Sequence, residues 1–329
     1  MSTNTRTVAV VTTFGPSGKK ILETTPGIKT FAFSPTLPHE EFVALLAKHA
    51  PVHAIVLGQH QVGAREIAAC GGLQVVARNG VGYDNVDTKA MTEAGAALMV
   101  VGEANSPAVA EQAMSMLLSL IKNGERQNRL VREGRWTDRM TELGADLYKK
   151  KLLVVGCGRI GSRTTRRAAA FEMDVMVYDP YVDDAVITAA GGRRVTDLDA
   201  AIATADAISL HCPKTAETVN LIDARRLALM KPSAILVNTA RGGIVDEAAL
   251  ADALTRKALA GAGLDVLAQE PPPADHPLFK FENVIFAPHT AGVNHDALER
   301  MAQQAVANIL SVFEGRINAA NVINKDVLR

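Results

Sequence analysis

"LLVVGCGRIG" (152–161) decides the fold. An apolar run ends in Gly156, Gly158 and Gly161, the spacing of a dinucleotide-binding turn. In such a turn the first glycine allows a tight exit from a strand. The second lets backbone approach a pyrophosphate, and the third lets the next helix sit close to the strand. That helix presents unpaired N–H groups and a partial positive charge to the phosphates. A second strand, "DVMVY" (174–178), runs into Asp179, 23 residues beyond Gly156. An acid for the ribose hydroxyls is expected there. A carboxylate would repel a 2′-phosphate, so NAD is favoured over NADP. Arg163, Arg166 and Arg167 read as a solvated helix face, not as a phosphate clamp.

Such a turn normally follows the first strand of its domain, yet residues 1–151 precede it. Within them "VAVVTTF" (8–14), "HAIVL" (53–57), "QVVA" (74–77) and "ALMVV" (97–101) read as strands. "HEEFVALLAKHA" (39–50) and "VDTKAMTEAG" (86–95) read as helices between them. Strand–helix alternation predicts a parallel sheet with helices on its faces. Residues 107–133 read as one long helix, with Pro107 in its first turn and Ser106 as its cap. The alternation then restarts at the glycine turn, with strands at "LLVV", "DVMVY", "AISLH", "AILVN", "GAGLDV" and "NVIFA". Helices are expected near 160–170, 197–204, 223–229 and 246–256. A last long helix, "DALERMAQQAVANILSVFEG" (296–315), ends at Gly315, a natural C-cap. The first block is therefore a domain in its own right, as 329 residues would suggest.

Composition narrows the function. Lys plus Arg and Asp plus Glu are 35 each, so no global field draws the chain to nucleic acid or an anionic membrane. No apolar run approaches the ~20 residues that span a bilayer. The N-terminal stretch "MSTNTRTVAVVTTFG" lacks the apolar core of a signal peptide. Cys70, Cys157 and Cys212 are far apart, which is no disulfide framework and fits a reducing cytoplasm. Cys157 and Cys212 read as small packing residues, not nucleophiles. The 8 histidines are scattered without zinc-ligand spacing, so no metal is expected.

In open parallel sheets, ligands bind beyond the carboxyl ends of the strands. Those ends carry His211–Cys212–Pro213 after "AISL", Arg241 after "AILV", Asp265 and then Glu270 after "GAGL", and His289 after "VIFA". "QVVA" is followed by "RNGVGYDN" (78–85) and "HAIVL" by "GQHQ" (58–61). His289 is the natural acid or base near neutral pH. Glu270 could bond its imidazole, fix the tautomer and favour the protonated ring. Arg241 offers a planar fork for a substrate carboxylate. The backbone N–H groups of "NGVG" (79–82) could hold its other oxygen. With a nicotinamide, this set suits hydride transfer at a carbon bearing an alcohol or carbonyl beside a carboxylate.

These segments resemble the D-isomer-specific 2-hydroxyacid dehydrogenases, a group that includes phosphoglycerate dehydrogenase, hydroxypyruvate and glyoxylate reductases and D-lactate dehydrogenase. "RNGVGYDNVD", "NSPAVAEQAM", "GCGRIG" with "YDP", "HCPKTAETVNLI", "LVNTARGGIVDEAAL", "GAGLDVLAQEPPP" and "APHTAG" follow the family's signatures in order. The resemblance covers nearly the whole chain. It implies an α/β fold of two Rossmann-like, doubly wound parallel-sheet domains. The cofactor domain (105–294) is inserted into a discontinuous substrate domain (1–104 plus 295–329). It implies Arg241, Glu270 and His289 as the catalytic set. It places NAD against Gly156, Gly158, Arg159, Ile160, Gly161 and Asp179. His211, Cys212, Pro213, Thr239, Ala240, Asp265, His289 and Gly292 complete the cofactor lining. Arg78, Asn79, Gly80 and Val81 would meet the substrate together with Arg241. The 105–150 region would pair subunits into a homodimer.

Two features depart from the phosphoglycerate enzymes. Their segment after the second strand often reads "RS-x-T", whereas "GQHQ" has no arginine, which argues against a phosphorylated substrate. The chain also ends soon after its last helix, which predicts no C-terminal regulatory domain. The expected activity is NAD-dependent interconversion of a small D-2-hydroxy acid and its 2-keto acid. Alternatives are D-3-phosphoglycerate dehydrogenase, formate dehydrogenase, whose histidine partner would be a glutamine where Glu270 stands, and a non-enzymatic NAD-sensing scaffold.

Overall fold

The computed structural model describes residues 5–328. Met1–Asn4, in the stretch read as free of a leader, and Arg329 lie outside the described residues. The chain divides into two compact units, Met1–Asn105 with Val293–Arg329, and Ser106–Gly292. The second is thus inserted into the first.

Unit 1 builds a sheet from β1 (Arg6–Val11), β2 (Ile28–Phe33), β3 (Ala54–Leu57), β4 (Val75–Arg78) and β5 (Ala97–Met99). Helices α1 (Pro16–Thr24), α2 (His39–Lys48), α3 (Ala64–Cys70) and α4 (Thr88–Glu93) connect them. All pairings are parallel, in the order β2-β1-β3-β4-β5. This is the flavodoxin-like variant of a doubly wound sheet, a narrower description than Rossmann-like. Strand β2, absent from the strands read in the sequence, lies at the sheet edge and is mostly exposed. An edge strand needs only one apolar face, so its hydrophobic signal is weak.

Unit 2 opens with α5 (Ser106–Ile121) and α6 (Gly124–Arg132). The single helix expected over 107–133 is broken because Asn123 turns left-handed, with φ 52°. Asparagine tolerates that region better than most residues, and its Nδ2 donates to the Leu143 carbonyl at 3.1 Å. Ser106 is the first residue of α5, and its buried hydroxyl does not cap the helix. The sheet follows with β6 (Lys151–Val155), α7 (Gly161–Ala170), β7 (Asp174–Tyr178), α8 (Asp184–Ala189) and β8 (Arg193–Arg194). Next come α9 (Leu198–Thr204), β9 (Ala207–Leu210), α10 (Ala224–Leu229) and β10 (Ile235–Asn238). The unit closes with α11 (Glu247–Thr255), β11 (Gly261–Leu264) and β12 (Val284–Phe286). The order is β12-β11-β10-β9-β6-β7-β8, again all parallel. Counted from β6, this is the 3-2-1-4-5-6 Rossmann order with one strand added.

The apolar strand runs are explained by burial on both faces. Leu153, Val155 and Met176 pack in one core cluster and Leu152, Val154, Val175 and Val177 in the other. Alternate side chains of one strand point to opposite faces, so each run feeds two cores. The last helix, α12 (His295–Phe313), returns to unit 1 and buries Met301, Ala302, Ala305, Val306 and Ile309 in that unit's core. Gly315 follows it with φ 69°. Among the described residues, no helix is long and apolar enough to cross a membrane.

Candidate active site

The sheet order of unit 2 reverses between β6 and β9, and a ligand crevice forms where such a reversal leaves the carboxyl strand ends uncovered. The glycine turn leaves β6 there and the His211–Pro213 loop leaves β9. Gly156 adopts φ 91°, and a Cβ on it would lie 2.7 Å from the Cys212 nitrogen. A Cβ on Gly161 would lie 1.9 Å from the Gly156 carbonyl oxygen, so only glycine lets α7 start this close to the turn. A Cβ on Gly158 would meet nothing within 4 Å, which leaves the face of the turn open.

Asp179 follows β7 and is buried. One carboxylate oxygen accepts from the Cys157 N–H at 2.7 Å, and the other from Tyr181 and Val182 N–H at 2.8 and 3.1 Å. The carboxylate thus ties the glycine turn to the β7 loop. Arg194 of β8 braces the same loop by donating to the carbonyls of Asp179 and Val182 and to the Asp184 carboxylate.

Two buried polar atoms at these strand ends have no hydrogen-bond partner, His211 Nδ1 and Thr239 Oγ1. Buried polar atoms are normally satisfied, so unpaired ones beside an open glycine turn fit a bound dinucleotide. Ala240 N–H donates to Asn238 Oδ1 at 3.0 Å. Arg159, Pro213 and Gly158 are exposed or partly exposed, as are Ile160, Cys212 and Gly292. Burial pushes the Cys212 thiol up to about 11 and the Cys70 thiol up to about 12, and raises Cys157 as well. These are packing thiols in this environment.

His211 bonds Ser209 Oγ through Nε2 at 2.9 Å, and burial lowers its pKa from 6.5 to about 4. The unfolded chain takes up this proton below its ordinary value, whereas the folded chain resists until about 4. The associated stability is present above the unfolded value and is lost as pH falls toward the folded one. About 2 kcal/mol should disappear between pH 7 and 5. Urea unfolding at both pH values should show this loss in the wild type and not in His211→Asn. Equal pH dependence in the two proteins would contradict it.

The loops after β10, β11 and β12 carry Arg241, Glu270 and His289. His289 Nδ1 lies 2.6 Å from Glu270 Oε2. A carboxylate only accepts, so Nδ1 carries a proton and Nε2 is the ring nitrogen that Glu270 leaves unengaged. Glu270 Oε1 accepts from Leu267 N–H at 3.1 Å, which orients the carboxylate. His289 itself is left-handed, with φ 54°. Its N–H donates to the Asp265 carbonyl at 2.7 Å. The buried Asp265 carboxylate accepts from Thr290 and Ala291 N–H at 2.8 and 3.0 Å. Burial raises the Asp265 pKa, and these backbone donors oppose the rise. Asp265, expected to line the cofactor, therefore anchors the histidine loop. No local pattern in the sequence marks that role, because its partners lie about two dozen positions downstream. Arg241 donates to the Ala240 carbonyl at 2.8 Å, and its own carbonyl accepts from Asn238 Nδ2 at 2.9 Å.

The other expected substrate residues lie in unit 1, after β4. Arg78 donates from Nε to the Gly82 carbonyl at 2.6 Å and from Nη1 to the carbonyls of Leu57 and Gly58. It braces the 79–82 loop. Asn79 Oδ1 is buried without a partner, a Cβ on Gly80 would meet nothing within 4 Å, and Val81 packs on the unit 1 core. The "GQHQ" segment stands at a strand end, where ligands are expected, but His60 in it is a core residue. Its ring is buried against Phe33 and Phe42, and Nε2 donates to the Leu37 carbonyl at 3.0 Å. An imidazole packed between two phenyl rings cannot reach a ligand.

A glycine turn at the reversal point of a doubly wound parallel sheet defines a dinucleotide-binding class of fold. The model of the "D-isomer specific 2-hydroxyacid dehydrogenase, NAD binding domain" matches residues 114–291. A glyoxylate reductase of Korarchaeum cryptofilum is 39% identical over 260 residues, 78% of this chain and 78% of that protein. A D-3-phosphoglycerate dehydrogenase of Archaeoglobus fulgidus is 35% identical over 288 residues, 88% of this chain and 54% of that protein. The chain therefore spans about half the length of that relative. The solved structure of the TT0316 protein from Thermus thermophilus matches with a TM-score of 0.87 at 33% identity, over 96% of this chain and 99% of that one. The chain belongs to the D-isomer specific 2-hydroxyacid dehydrogenase family.

Proposed function

We propose that this protein interconverts a small, unphosphorylated D-2-hydroxy acid and its 2-keto acid, with glyoxylate or hydroxypyruvate as the keto acid. The observation that carries the reading is the Glu270–His289 pair at 2.6 Å, whose geometry leaves Nε2 available to the reacting oxygen. NAD, when bound, supplies or accepts the hydride. In reduction, His289 donates a proton to the forming alkoxide, and in oxidation it removes that proton. Arg241 holds the substrate carboxylate. Gly156, Gly158 and Gly161 receive the pyrophosphate and Asp179 the adenosine ribose. Unit 1 acts as the substrate domain and unit 2 as the cofactor domain. The three thiols stay reduced in a cytoplasmic setting.

The unphosphorylated choice rests on charge. A phosphate is usually met by arginine, lysine or a helix N-terminus. His60 is committed to the core and Arg78 donates to three carbonyls. The relative named glyoxylate reductase points the same way, while the relative named D-3-phosphoglycerate dehydrogenase supports the biosynthetic alternative. NADH oxidation with a panel of 2-keto acids tests both. We expect kcat/KM for hydroxypyruvate to exceed that for phosphohydroxypyruvate. A preference for the phosphorylated acid above about tenfold, ~1.4 kcal/mol of transition-state binding, would replace this reading with the biosynthetic one.

We also propose a homodimer through the 105–150 region. Val131, Trp136, Met140, Leu143 and Tyr148 are exposed there, and large apolar side chains gathered on a surface mark an interaction site. Light scattering should return twice the chain mass; a single-chain mass at micromolar concentration would argue against it.

A further inference from the structure

The motif "IVDEAAL" (244–250) contains an acid that the proposed chemistry does not use. Glu247 is the first residue of α11, and its side chain is largely buried, at 16% exposure. One oxygen accepts from the Ala268 N–H at 2.6 Å. The other faces His276 Nε2 at 3.1 Å. His276 Nδ1 accepts from the Leu278 N–H at 3.3 Å, so Nε2 carries the ring proton and donates to Glu247. A single carboxylate thus grips both ends of the segment that carries Glu270, at Ala268 before it and at His276 after it.

The residue just before the gripped N–H orients Glu270. Leu267 N–H donates to Glu270 Oε1 at 3.1 Å, and Glu270 Oε2 meets His289 Nδ1 at 2.6 Å. The Leu267 carbonyl is pressed against the residue that follows Arg241. A Cβ on Gly242 would lie 1.9 Å from the Leu267 oxygen. Leu267 and the Ala268 N–H therefore touch the Arg241 loop, the Glu270 carboxylate and Glu247. A surface clamp would not need a buried carboxylate, because water would satisfy the same N–H groups. Here a largely buried carboxylate holds two N–H groups of the segment that carries Glu270.

We propose that Glu247, with His276, is a positioning pair for Glu270 and, through it, for His289. The proposal rests on the dehydrogenase reading above, so its test includes a measurement that needs no turnover. The first measurement is the His289 Nδ1 proton in the NMR spectrum, identified by its loss in His289→Gln. It should be visible in the wild type and lost or strongly shifted in Glu247→Ala and in His276→Leu, with thermal midpoints near the wild-type value. An unshifted signal in both folded variants would overturn the proposal whether or not any keto acid is reduced.

Kinetics supply the second measurement. Glu247→Gln keeps an acceptor for Ala268 but presents an amide that cannot replace the carboxylate toward both partners. It should lower kcat about tenfold and leave KM for NADH within about twofold. In a Glu270→Gln background the same change should cost no more than about twofold, because residues that act as one unit are not additive. Additive losses, or a fall in NADH affinity matching the fall in kcat, would assign Glu247 to general stability instead. His276→Gln, which retains a donor toward Glu247, should recover most of the activity lost in His276→Leu. If Glu247→Ala does not fold, this pair of His276 variants carries the test alone. Should the wild type reduce no keto acid while the NMR result holds, the substrate reading falls and the positioning pair stands.

Discussion

His289→Gln should lose about 10²–10⁴-fold in kcat, the usual worth of a positioned general acid–base group. The ring's Nδ1 is engaged by Glu270, so in the proposed reaction Nε2 is the atom left to exchange a proton with the reacting oxygen. Glutamine can form a hydrogen bond at that place but cannot carry a proton between states. NADH affinity should stay within about threefold by fluorescence titration, since the glycine turn and Asp179 are held by other contacts. The Asp265 anchors on the backbone of Thr290 and Ala291 also remain in the variant, so its loop should keep its course. A fall in kcat below about tenfold would remove His289 from the proton transfer.

The second large effect concerns the cofactor. NADH should be preferred over NADPH by about 10²–10³-fold in kcat/KM, because a like-charge contact costs several kcal/mol. Asp179 cannot swing aside to admit a 2′-phosphate. Its carboxylate is tied to the N–H groups of Cys157, Tyr181 and Val182. Asp179→Ser should shrink the preference by removing that like charge. Steady-state kinetics with both cofactors decide the matter. Equal efficiencies in the wild type would show that this acid does not face the ribose.

The difference between what was legible and what was not follows chain distance. Asn123 shows it on a small scale. The apolar spacing of 107–133 reads as one helix, and a single left-handed residue splits it. His60 shows it on a larger one. Its segment follows a strand, where polar residues usually face a ligand, yet Phe33 and Phe42 from other elements close over its ring. Arg78 stands beside the 79–82 loop, and only the folded chain brings the Leu57 and Gly58 carbonyls to it.

The sequence by itself determined the two runs of alternating strands and helices, the NAD-type glycine turn and the family. Each is written in periodicity or spacing within a few dozen residues, where local sterics and burial act directly. It also placed Arg241, Glu270 and His289 at the ends of successive strands. Only the tertiary structure decided how those residues are held. Asp265 grips the backbone beyond His289, Leu267 orients Glu270, and Glu247 with His276 fixes the loop between them. These partners come from different strand ends, and hydrogen bonding across such separations depends on packing that no local pattern encodes.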